Sequence, residues 1–113
     1  MKTKPPKGPS EAEFTRQVLQ LAKLCGWRTL HIRPGRTATG WRTPVQGDGK
    51  GFVDIFAVHR GRGVLLFAEL KVDGRLLTLE QDEWLSALRQ TDAIVRAWTP
   101  DDWPEIEAIL RGD

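Results

Sequence analysis

Apolar side chains recur along this chain with two periods, and the switches between them divide it into elements. After a polar start, Phe14, Val18, Leu21, Ala22 and Cys25 fall at helical spacing behind Ser10, and Gly26 supplies a stop. Residues 27–32 read as a short strand in which Leu30 and Ile32 alternate and Trp27 falls off the alternation. Residues 33–51 carry five glycines, two prolines and several cations with no usable period, which predicts one long loop. Two β-rich runs follow, 52–59 and 64–72, separated by Arg60-Gly61-Arg62-Gly63, and these predict a hairpin. Asp73-Gly74 turns the chain, and Thr78 opens a helix with Trp84, Leu85 and Leu88 on one face. Residues 93–98 read as a fourth strand, and Thr99-Pro100-Asp101-Asp102 starts a last helix whose apolar side is Ile106, Ile109 and Leu110. The predicted order is αβββαβα.

The hairpin matters most because of what it aligns. If Gly61-Arg62 forms a two-residue turn, Arg60 pairs with Gly63 and Asp54 falls opposite Glu69. A four-residue loop gives the same register, whereas a three-residue loop sets Asp54 against Ala68. Side chains alternate along a strand, so Glu69 and Lys71 share one face while Leu66, Ala68 and Leu70 share the other. Two acids and a cation are thus expected on one patch of an otherwise apolar sheet. Asp54 and Glu69 would supply hard oxygen ligands for Mg²⁺ or Mn²⁺, with the Leu70 carbonyl as a third. The two carboxylates and the lysine resemble those of metal-dependent phosphodiesterases, in which a water made more acidic by the metal attacks the phosphodiester. Lys71 would orient that water or stabilise transition-state charge. The plainer reading makes Asp54 a turn acid, Glu69 a solvated strand residue and Lys71 its surface partner. Both acids lie inside near-continuous apolar runs, however, where an unpaired carboxylate is costly.

Composition narrows the picture. At 113 residues the chain fits a single domain, read as residues 10–113 behind a disordered basic leader, 1–9, with Lys2, Lys4 and Lys7 among its prolines. Its formal charge of +2 is too mild to argue nucleic-acid binding by itself. The distribution carries that argument: Arg33, Arg36, Arg42 and Lys50 lie in or beside the long loop as candidate phosphate contacts, and Trp41 could stack on an unpaired base. The single Cys25 excludes an internal disulfide and a cysteine-based zinc site. His31 and His59 have no partner at metal-ligand spacing and read as exposed or hydrogen-bonded histidines. No stretch approaches transmembrane length, and the polar start lacks the apolar core of a signal peptide, so a cytoplasmic protein is expected.

Four segments occur in a telling order: Ser10-Glu11-Ala12-Glu13-Phe14, Gly51-Phe52-Val53-Asp54, Phe67-Ala68-Glu69-Leu70-Lys71 and Leu79-Glu80-Gln81. In these the chain, over residues 10 to about 98, resembles a virus-type replication-repair nuclease (VRR-NUC) domain of the PD-(D/E)xK nuclease superfamily. Val53 stands where that family often has proline. The resemblance implies an αβββαβ restriction-endonuclease-like core, a mixed central sheet flanked by helices, here with a C-terminal helix added. It implies a Mg²⁺- or Mn²⁺-dependent deoxyribonuclease acting on branched DNA such as junctions or flaps and leaving a 5′-phosphate. A homodimer is implied too, and a phage-type copy would work in the host cytoplasm. Trp84 and Trp98 themselves fit core or interface positions, and exposed apolar side chains near them are the candidate dimer surface.

The resemblance makes Glu11 the glutamate that approaches the metal from the first helix, through water. Glu13 has a structural task instead, because Ser10-x-x-Glu13 fits a capping box. Thr78-x-x-Gln81 fits one as well, while the resemblance makes Gln81 an active-site residue whose amide holds water or phosphate. Two alternatives stay open at this level: a non-catalytic nucleic-acid-binding module on the same fold, and a sequence-specific restriction-type endonuclease.

Overall fold

A computed structural model describes residues 8–32, 35–37, 40–42, 49–72, 74 and 76–113, with only the backbone path for 35–37 and 40–42. The elements follow in the order α1 (Glu11–Leu24), β1 (Trp27–His31), β2 (Gly35–Thr37), β3 (Gly40–Arg42), β4 (Ile55–His59), β5 (Val64–Leu70), α2 (Leu79–Leu88), β6 (Ile94–Trp98), a 3₁₀ turn (Pro100–Asp102) and α3 (Trp103–Arg111). The protein is mixed α/β. Strands β1, β4, β5 and β6 form one sheet in that order, antiparallel except for the parallel β5–β6 pair. The long segment expected to be a loop contains β2 and β3, which pair with each other as a separate antiparallel ribbon. Three-residue strands held by backbone pairing need no hydrophobic period, so the residue pattern could not announce them.

Helices α1 and α3 cover one face of the sheet and α2 the other. The larger core joins Phe14, Val18 and Ala22 of α1 and Ile106 and Leu110 of α3 to Ile55, Ala57, Leu66, Ala68, Leu70 and Trp98 of the strands. The smaller core sets Leu85 of α2 on Val53 and Val95, with Phe52, Phe67 and Ala97 at its margin. Along β5, Leu66, Ala68 and Leu70 enter the first core while Phe67 turns to the second. That is the alternation expected of a strand buried on both faces.

The structure decides two positions that the period leaves open or misassigns. On β1 the inward residue is Trp27, while Leu30 is 56% exposed. The indole N–H of Trp27 donates to the Leu110 carbonyl at 2.9 Å, and that partner lies on α3, far along the chain. Trp98 is wholly buried, with its indole N–H donating to Glu105 Oε2 at 2.7 Å, so it offers no surface to a second subunit.

The β4–β5 hairpin is pinned from outside. His59 Nε2–H donates to the Cys25 carbonyl at 2.9 Å, which leaves Nδ1 to accept the Arg62 N–H at 3.1 Å. His59 is thus the hydrogen-bonded histidine expected. Arg62 lies over the Trp27 ring at 5.2 Å and donates to the Ile109 carbonyl, near the end of α3. Arg62→Ala is expected to lower stability by about 1 kcal/mol, read as a shifted urea midpoint with unchanged slope.

Candidate active site at the β4–β5 junction

Pairing of Ile55 with Ala68 and of His59 with Val64 fixes the hairpin register around a four-residue loop, 60–63. Continued by one residue, this register sets Asp54 opposite Glu69, as both the two-residue turn and the four-residue loop predict; Arg60 and Gly63 stay outside the ladder, so the loop is the four-residue one. The chain bends at Asp54, just before β4. Its backbone carbonyl still accepts from Ile32 N–H at 2.8 Å, extending the β1–β4 ladder. Its side chain does something different: Oδ2 accepts from the Leu70 N–H at 2.9 Å. The carboxylate stands in for the strand acceptor that the bend removes. The N–H and C=O of one strand residue point to the same neighbour, so the Leu70 carbonyl shares this edge with Asp54.

Glu69 is 1% exposed, on the α2 side of the sheet, and no donor among the described residues reaches either carboxylate oxygen. Burial is the first cause that pushes its carboxyl up to about 9. Asp54 adds to the rise, both by accepting the proton of the neutral acid and by repelling the ionised one. Lys71 pulls the other way, as does the Asp54 amide, which approaches without meeting hydrogen-bond geometry. Lys71 is partly buried on the same face, its own N–H tied to the Trp98 carbonyl at 2.9 Å. Among the described residues its ammonium forms no ion pair with Glu69.

The α2 N-terminus borders this site for a topological reason. A helix connecting two parallel strands runs back along them, so its first turn lies beyond the carboxyl end of β5, where Glu69 and Lys71 are. Thr78 and Gln81 close a full capping box: Thr78 N–H donates to Gln81 Oε1 at 2.9 Å and Gln81 N–H to Thr78 Oγ1 at 3.1 Å. With Oε1 occupied, the Gln81 side chain presents its NH₂ group to anything else.

Gly51 joins the two halves. It has φ +79°, and a Cβ built on it would lie 2.5 Å from Glu80 Cβ and 2.8 Å from Gln81 N. The backbone leading into Asp54 therefore lies directly on the first turn of α2. The only signal in the sequence was a glycine three residues before the aspartate.

The other expected site residues fall as follows. Glu11 is partly buried in the first turn of α1, where the Ser10 hydroxyl accepts from Glu13 N–H at 3.1 Å, the half of the expected capping box that uses Ser10. No group of three or more His, Cys, Asp or Glu side chains comes together as a metal cage among the described residues, so Glu11 does not join Asp54 and Glu69 in one. Lys50 is exposed one residue before Gly51. Arg36, Trp41 and Arg42 lie on β2 and β3 with only their backbone described, and Arg33 and residues 1–7 fall outside the described residues. No helix among the described residues is long and apolar enough to cross a membrane. The chain matches no protein-family model, no curated protein and no solved structure in the comparisons made.

Proposed function

We propose that the protein is a Mg²⁺- or Mn²⁺-dependent nuclease of the PD-(D/E)xK type, close to the VRR-NUC branch, that hydrolyses phosphodiester bonds in DNA. One observation carries the reading: a buried glutamate with two oxygens bare of donors faces an aspartate across a strand pair. An arrangement of this kind costs stability, and such costs gather where a ligand compensates them. The donor set fits a hard divalent cation. Glu69, the Asp54 oxygen not held by Leu70 N–H, and the Leu70 carbonyl would hold it, and magnesium keeps several waters, so few protein ligands suffice. When bound, such an ion supplies Lewis acidity toward the phosphoryl oxygens and the attacking water.

The chain's own groups would do the rest. Lys71 places a cation on the Glu69 face, where it offsets negative charge growing on the phosphoryl oxygens. The Gln81 NH₂ group donates to a phosphate oxygen or to the water, its orientation held by Thr78. Attack on phosphorus with departure of the 3′ oxygen leaves a 5′-phosphate and a 3′-hydroxyl. Branched substrates, a homodimer and a contribution from Glu11 through water are further parts of the proposal, supported by the family resemblance.

The test is cleavage of labelled junction, flap and linear DNAs in Mg²⁺, Mn²⁺ or chelator. Wild type should cut only with metal, and Asp54→Ala should lose on the order of 100-fold or more in rate. Equal cutting by both rejects the site. Metal-independent binding with no cutting by either would assign the fold to a nucleic-acid-binding module.

A further inference from the structure

Among the described residues, helix α2 covers only part of its face of the sheet. It shields Val95 and part of Phe67, and beyond them the face continues as Phe56 and Val58 of β4 and Leu30 of β1. Phe56 pairs across the ladders with Phe67 on one side and Leu30 on the other, and it belongs to neither core. Its ring lies 5.1 Å from that of Phe67, tilted by 42°, and Phe67 is in turn buttressed edge-on by Phe52 at 6.3 Å. Leu30 and Leu65, on the same face, are 56% and 43% exposed. Phe56 is thus a propped, partly exposed aromatic ring on an apolar strip that α2 leaves uncovered among the described residues.

The strip is continuous with the acid pair. Phe56 and Phe67 stand two residues from Asp54 and Glu69 along their strands, on the same face, at about 7 Å. We propose that Phe56 seats an unpaired base of the substrate next to the phosphate held at Asp54 and Glu69, an inference that rests on the nuclease reading. Cations flank the seat: Arg28, exposed, projects on this face beside Val58, and Lys71 lies beyond Glu69. Among the described residues of these strands, the only acids on the face are the pair itself. An aromatic ring between cations suits a base and its backbone phosphates. A base in a closed duplex cannot lie flat on Phe56 without leaving its stack, so the favoured substrate has an unpaired nucleotide next to the scissile phosphate.

The experiment compares wild type, Phe56→Leu and Phe56→Tyr in binding DNA in Ca²⁺. The probes are a single strand and a fully paired duplex of one sequence, each carrying 2-aminopurine. Wild type should bind the single strand with a change in probe fluorescence. Phe56→Leu, which keeps an apolar side chain, should weaken that binding about tenfold while leaving duplex binding alone. Phe56→Tyr, which keeps the ring, should restore it. Equal single-strand affinity in wild type and Phe56→Leu overturns the inference. So does a concentration-dependent dimer in sedimentation that Phe56→Leu abolishes, which would assign the strip to a second copy. Asp54-dependent cleavage is scored separately: if it is present while Phe56→Leu binds and cuts as wild type, the base seat alone falls.

Discussion

Replacing Glu69 with glutamine is expected to abolish metal-dependent cleavage and, in the same protein, to raise its melting temperature above neutral pH. The two effects have one cause. The folded protein holds the Glu69 carboxyl at about 9, far above its usual 4.5, because burial and Asp54 both oppose ionisation. Between those two values the folded state keeps a proton that the unfolded chain has released. Stability must therefore fall as pH rises through that window and level off above it. Glutamine is neutral at every pH and can donate to Asp54, so the variant lacks this slope. At pH 8, without metal, Glu69→Gln should melt higher by on the order of 5–10 °C, measured by calorimetry in chelator. Below pH 5 the difference should vanish. Divalent metal should stabilise wild type more at pH 8 than at pH 6, since binding must displace the proton, and should not stabilise the variant. A residue whose removal stabilises the fold and ends the reaction is held there for function. A metal-free wild type with no slope between pH 5 and 9 would remove the physical basis of the site.

Gly51→Ala is expected to be among the most damaging single-methyl changes in the chain, costing about 2–4 kcal/mol. Backbone strain accounts for part, because φ is +79°. Collision accounts for more: the new Cβ would meet Glu80 Cβ at 2.5 Å, the Glu80 carbonyl carbon at 2.7 Å and Gln81 N at 2.8 Å. Two of those three atoms are backbone and cannot rotate aside, so the approach to Asp54 and the first turn of α2 must separate. Activity should fall further than the folded fraction accounts for, since the movement parts Asp54 from Gln81. Gly63→Ala is the control. It has φ +64° with nothing within 4 Å of the added Cβ, so it reports backbone strain alone, about 1 kcal/mol. Similar denaturant midpoints for the two variants would mean that the Gly51 contact is not tight.

The hairpin register was legible because a loop length and a period of two determine it together. Once residues 60–63 form a four-residue loop, Asp54 must face Glu69, and Lys71 must share the Glu69 side. The helix starts at Ser10 and Thr78 were legible for a comparable reason, since a cap bonds only to residues two or three further on. Other features depend on partners distant in the chain. Leu30 looked like the inward residue of β1, but Trp27 faces the core because α3 brings the Leu110 carbonyl to its indole. Trp98 fits a core or an interface position by its pattern alone, and α3 decides for the core, where the indole bonds to Glu105. The short ribbon in 33–51 left no period to read.

The sequence by itself determined that two acids and a lysine lie near one another on a sheet, because strand alternation and turn length act between close neighbours. Only the tertiary structure decided that Glu69 lies buried without a donor, because burial depends on the layers packed over the carboxyl end of β5, where α2 seats Leu85 on Val53 and Val95 and Gly51 lies on its first turn. Exclusion of solvent is a property of assembled layers, and it turns an ordinary strand glutamate into a carboxyl that holds its proton to about pH 9.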